Sequence, residues 1–400
     1  MLFSILTLLT STLNPSAAET QSASEPVFAE LELKEALEQA SRTERLVMID
    51  FDTITCAPCP RLEMTFGDPK VHQWLQSSVI ALRINAETDP ALTERYEVDT
   101  LPTLVFLDPA GTEQGRLGKF KDAKAFLNAA TDCLQGIPYS QRVREQLDQA
   151  GWNEPRLRQE LGVVLMVERM REEALEHFIW CYDSGLRHDP TYAEQRLNSL
   201  LARWDLLGKR FTPAREQLEK RRQRAQQELF DGSTAPEVAL ELASIDLSRK
   251  QEARTLELYD VLASYEPLAE QQRTDVRSVL FRHVCNLLLD AKRYEDFLGD
   301  MGDPLAVIDA SLSAAAMARA QGVDDPSSPA RMYAIILGSK CYEAFLAIGS
   351  DAEASAVLNR ILAFDSSAPT WSKLHARALR ADRQDAADAL AARRAMSEKK

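Results

Sequence analysis

The chain has 400 residues, 45% of them hydrophobic, and a formal net charge of −14. That length points to two or three domains. The acidic balance, with 19 acidic against 11 basic side chains between Glu25 and Asp132, argues against nucleic acid or an anionic membrane surface as partner.

Met1 to Leu13 is apolar but too short to cross a bilayer. Ser16-Ala17-Ala18 follows with small residues at cleavage-site spacing. This predicts an export signal over 1–18, cleaved near Ala18, although no Lys or Arg precedes the apolar run. A polar, disordered linker is expected over 19–27. No later stretch approaches the length of a membrane span, so the mature chain is expected to contain none.

Leu31 to Ala40 reads as a helix and Leu46 to Asp52 as a buried strand. Cys56-Ala57-Pro58-Cys59 comes next. Leu62, Met64 and Phe66 then suit a short helix that stops at Gly67. Asp68-Pro69 is an N-cap with proline at the first helical position, opening a second short helix. Val79 to Ile84 is the next strand and Pro90 to Tyr96 a short helix. Thr103 to Leu107 is a strand, Asp108 to Gly111 a turn, Glu113 to Leu117 an edge strand, and Asp122 to Gln135 a final amphipathic helix. Mixed strands and helices in this order predict an α/β domain over 28–136, a central sheet with helices on both faces.

A linker is expected over 137–153. Beyond it strand signals vanish, and patterns of helical period run through 154–400, punctuated by prolines. Leu161-Gly162, Leu165, Ala174, Phe178 and Cys181 match the small and large positions of a tetratricopeptide (TPR) repeat. Leu242-Ala243, Tyr259 and Pro267 match a second more loosely, as do Ala344, Ala356, Ala363 and Pro369 a third, while Gln271 to Ser327 fits poorly. An all-α TPR-like array is the expectation. Such hairpins bury their apolar faces only by stacking, which leaves a concave surface suited to protein partners.

The chemistry concentrates where the first strand hands over to a helix. The first turn of a helix offers unpaired N–H groups and partial positive charge, and both favour a thiolate, the attacking form of cysteine. Cys56, ahead of the helix, is the candidate nucleophile. Cys59, expected one turn inside, is the candidate resolving thiol. Pro60 is expected to cost a helical bond or loosen that turn. Asp50 is a candidate proton acceptor whose role requires burial to raise its pKa; the plainer alternative is a strand-end acid bonded to a loop. Asp52 faces the same side nearer the loop and ranks below it. Six cysteines with one Cys-x-x-Cys pair make neither a disulfide scaffold nor a zinc site, so no metal and no cofactor is implied. Cys133, Cys181, Cys285 and Cys341 read as small apolar residues on helices; the alternative, in an exported chain, is that some of them pair, with no connectivity set by the sequence.

Several separated positions agree with one family. Cys56-x-Pro-Cys59, Asp50 six residues earlier, Leu101-Pro102-Thr103 before an apolar strand, Gly118 ahead of the last helix, and Thr65-Phe66-Gly67-Asp68-Pro69 with Val71 together resemble the thioredoxin-fold family. Within it, they resemble the group that includes the C-terminal periplasmic domain of the DsbD electron transporter. The resemblance covers about Phe28 to Gln135. Thr55 stands where the family usually has tryptophan. The resemblance implies a cis peptide before Pro102, with Ala57, Pro58, Leu101 and Pro102 meeting a substrate strand. It also implies a reductant or isomerase-like thiol–disulfide oxidoreductase acting on protein disulfides, exported to the periplasm or another extracytoplasmic space and served by a membrane electron relay. The alternative is a non-catalytic scaffold in which both the thioredoxin-like module and the TPR-like array only bind proteins.

Overall fold

The structure, a computed structural model, describes residues 27–118, 122–233, 235–320 and 328–397. The expected export signal, and all but one residue of the linker after it, lie outside the described residues. The chain divides into two compact units: one takes in the residues up to Gln149 together with Val164–Met170, the other Ala150–Val163 and Arg171 onward.

The first unit is built on a four-stranded sheet of order β2-β1-β3-β4. Its strands are β1 (Leu46–Asp52), β2 (Val79–Asn85), β3 (Thr103–Leu107) and β4 (Glu113–Gly118). β1 runs parallel to β2 and antiparallel to β3, and β3 is antiparallel to β4. The helices are α1 (Leu33–Thr43), α2 (Cys59–Phe66), α3 (Pro69–Ser78), α4 (Pro90–Arg95), α5 (Ala123–Leu134) and α6 (Tyr139–Ala150). Local chemistry explains three of the six starts. Asp68 accepts from the amides of Lys70 and Val71 with Pro69 behind it, Asp89 accepts from Leu92, and Asp122 from Ala125.

β1 and β3 are central and nearly fully buried, so they read as continuous apolar runs. Alternation along β1 sorts the core into two layers. Val47, Ile49 and Phe51 pack with Ala36 and Ala40 of α1 and with Tyr96 and Val98. Met48 packs on the other face with Leu62 and Phe66 of α2, Val71 and Leu75 of α3 and Phe126 of α5. Asp50 belongs to this second face, the one that carries α2. The stretch read as a linker contains α6, whose Ser140, Val143 and Leu147 are buried. An apolar stripe at helical spacing packs rather than bridges, and the Ser140 amide is capped by Glu168 at 2.9 Å.

Among the described residues of the second unit, every regular element is a helix. Helices Pro155–Val167 and Arg171–His188 approach at Gly162, where an added Cβ would meet the Phe178 ring at 2.6 Å. Leu161, Ala174 and Cys181 are buried around it. In the pair Pro236–Ser248 and Glu252–Ala263, Leu242, Ala243 and Tyr259 are buried. The third pairing, Pro329–Ala347 with Asp351–Phe364, uses a different register from the one expected. Ala344 is buried, but Ala356 is only half-buried, and Ala363 and Pro369 are exposed. The close approach falls at Gly338, whose missing side chain admits Ile361, with Ala354 and Val357 buried beside it. The backbones converge where a glycine allows it, not where alanines recur. Among the described residues no helix is long and apolar enough to cross a membrane.

Candidate active site

β1 ends at Asp52 and the chain turns at once. The Cys56 amide donates to the Thr53 carbonyl (3.2 Å), which closes a turn with Ile54 and Thr55 at its corners. The Thr53 and Thr55 hydroxyls lie 2.9 Å apart, and the Thr55 hydroxyl donates to Glu87 at 2.9 Å. Cys56 and Cys59 are joined as a disulfide with their Cα atoms 5.5 Å apart. Both are half-buried, while Ala57 and Pro58 between them are exposed.

Two local expectations change. Cys59, expected one turn inside the helix, is its first residue. Pro60 is therefore the second helical residue, where an N–H has no intrahelical partner to lose. It fits the helix start and does not weaken the turn.

Toward the end of β1 that leads to Cys56, β1, β2 and α2 share a chain of charges. Asp50 is 2% exposed. Arg83, opposite it on β2, donates from Nε to Asp50 Oδ2 at 3.2 Å and lies 3.6 Å from Asp52. The far end of the same guanidinium reaches Glu63 of α2 at 2.5 Å, and its face covers the Phe28 ring at 3.9 Å. Asp50 Oδ1 has no hydrogen-bond partner. Burial pushes the Asp50 carboxyl up to about 7, outweighing the opposing pull of Arg83, with the Asp52 and Glu63 charges adding to the rise. Burial raises Asp52 as well, though it is more open to solvent. A carboxyl that titrates near neutrality on the floor of a strand–helix junction can take up and return a proton there.

Leu101-Pro102 is a cis peptide. Thr103 pairs with Phe51, so Leu101 and Pro102 emerge at the end of the sheet where β1 runs out toward Cys56. Pro102 is buried and Leu101 half-buried. The fold thus brings Cys56, Cys59, Asp50, Leu101 and Pro102 to one end of the sheet. The sequence reading missed Arg83 and Glu63. Arg83 had a signal, being the one charge in Val79–Asn85. So did Glu63, four residues after Cys59 and hence on the same helix face.

Comparison with known proteins agrees with this geometry. A family model described as a thioredoxin-like domain matches residues 33–132. Those residues are a thioredoxin-like domain. The "Thiol:disulfide interchange protein DsbD" of Haemophilus influenzae (strain PittEE) is 34% identical over 128 residues, covering 30% of this chain and 22% of that protein. The protein of the same name from Salmonella choleraesuis is 39% identical over 101 residues, covering 24% of this chain and 18% of that protein. The chain spans about a fifth of the length of these curated relatives. The thioredoxin-like domain is followed by a predominantly helical region.

The remaining cysteines stand apart from this site. Cys133, Cys181 and Cys341 are buried and free, and burial pushes each thiol up to about 12. Cys285 departs from the apolar reading: it is only half-buried, with the Lys340 ammonium 3.8 Å from its sulfur.

Proposed function

We propose that this chain is an exported thiol–disulfide oxidoreductase, reductant or isomerase-like, acting on protein disulfides through Cys56 and Cys59. The observation that carries the reading is the Cys56–Cys59 disulfide in an accessible turn that follows directly on β1, the strand that also holds the buried Asp50 carboxyl, pushed up to about 7. In the reduced state the Cys56 thiolate attacks one sulfur of a client disulfide and expels the other as a thiolate. Cys59 gives its proton to the Asp50 carboxylate and attacks the Cys56 sulfur, which closes the Cys56–Cys59 bond and releases the client's second sulfur. The client gains two electrons and the dithiol loses them.

Ala57, Pro58, Leu101 and Pro102 supply the surface against which a client strand lies in this reading; the exposure of Ala57 and Pro58 supports it. A dithiol donor must then restore the reduced pair, and a membrane electron relay on the extracytoplasmic side fits a chain whose first 18 residues act as an export signal. The TPR-like helical array over 154–400 holds protein partners. Reduction of insulin disulfides by the purified full-length chain tests the core of this reading. Activity abolished by Cys56→Ser supports it. No activity, with Cys56 and Cys59 both titratable after reduction, supports a protein-binding scaffold instead.

A further inference from the structure

Large apolar side chains rarely sit alone at the corner of a turn, where Gly, Pro, Asn, Asp and Ser are the usual occupants. Ile54 does, and it is 94% exposed. It lies two residues before Cys56 and contributes nothing to either core layer of its domain. Its turn is nevertheless fixed. The Cys56 amide closes it onto Thr53, the Thr55 amide donates to the Thr53 hydroxyl at 3.2 Å, and the Thr55 hydroxyl reaches across to Glu87. An apolar group held out in this way meets a partner with little further ordering cost, and the area it loses to solvent on contact is favourable.

We propose that Ile54 is the residue by which this dithiol selects its clients: it packs against an apolar side chain adjacent to the client's attacked cysteine. The client segment also carries basic residues, because the sequence from Glu25 to Asp132 has 19 acidic against 11 basic side chains, a balance that draws in positive partners. Arg83 is occupied by Asp50 and Glu63, and Arg61 is the exposed base on α2. The inference rests on the redox reading above and deepens it by naming the kind of disulfide that reading serves.

The test uses the full chain, reduced, and three peptides that each close one disulfide loop. The first has Leu beside the attacked cysteine and Lys flanking it; the second replaces Leu with Ser; the third replaces Lys with Glu. Hydroxyethyl disulfide, which has no neighbouring side chain, is the control. The expected result is that the Leu/Lys peptide reacts roughly tenfold faster than the Ser/Lys peptide, in line with burial of an aliphatic side chain, and faster than the Leu/Glu peptide at low salt. Ile54→Ser should erase the Leu preference while leaving the hydroxyethyl disulfide rate unchanged. A variant that keeps the preference, or a wild-type chain that shows none, overturns the assignment of Ile54, and equal rates for Lys and Glu peptides overturn the basic-client half of it. A wild-type chain inert towards hydroxyethyl disulfide brings down the redox reading itself, and the inference with it.

Discussion

Replacing Asp50 by Asn should make the protein more stable and less active, and the stability gain should depend on pH. In the folded chain Asp50 holds its proton to about pH 7, against an ordinary 3.8. In the unfolded chain it ionises near the ordinary value. Between those pH values the native state carries a proton that the unfolded state has lost, so stability falls as pH rises through this window. The span of about three pH units, at 1.36 kcal/mol each, gives a loss of roughly 4 kcal/mol that is complete above pH 7 and absent below pH 4. Asn is neutral at every pH and its carbonyl can still accept from Arg83, so the variant avoids the loss. Urea unfolding of the oxidised full-length chain should show the variant and wild type converging near pH 4, separating steadily to about pH 7 and holding that difference to pH 8. The same substitution removes the proton acceptor for Cys59 and should slow release of the mixed disulfide by about a hundredfold. A stability difference that stays flat between pH 5 and 8 refutes the argument, because it means Asp50 ionises in the folded protein as freely as in the unfolded one.

Arg83→Met removes the cation that holds Asp50 down, so the Asp50 carboxyl should rise further and the pH profile of mixed-disulfide resolution should move to the alkaline side; an acid-side move contradicts the geometry. In the second unit, Asp246 is fully buried and accepts from Arg222 at 2.6 and 2.9 Å and from Thr255 at 3.0 Å. Asp246→Ala should cost about 3–5 kcal/mol by stranding the guanidinium, and the double variant Asp246→Leu with Arg222→Met should recover most of it. Gly162→Ala and Gly338→Ala each improve intrinsic helix propensity, yet drive a methyl into Phe178 and Ile361; both should lower the thermal midpoint, a loss of about 1–3 kcal/mol. Maleimide at pH 8 should label the oxidised native chain at Cys285, with Cys133, Cys181 and Cys341 reacting only on unfolding, as mass spectrometry of the labelled peptides will show.

The sequence by itself determined the elements of the thioredoxin-like domain. Its central strands are apolar, three of its helix starts carry Asp68, Asp89 and Asp122 as caps, and its turns carry proline and glycine, all signals that act within a few residues of where they stand. The dithiol was legible for the same reason, whereas the cis peptide before Pro102 was expected only through the resemblance to the thioredoxin-fold family. Register and charge contacts were not. Only the parallel pairing of β1 with β2 sets Arg83 opposite Asp50, and only the packing of α2 brings Glu63 to the other end of that guanidinium, so the pKa of Asp50 belongs to the fold and to no local motif. The helical unit shows the same division. Its helices follow from 3.6-residue periodicity, but the point at which two of them touch was misread on Ala356 and Ala363 and is fixed at Gly338 by what the facing Ile361 leaves room for. Local propensity acts along the chain; burial, desolvation and steric approach depend on residues that meet only after it has folded.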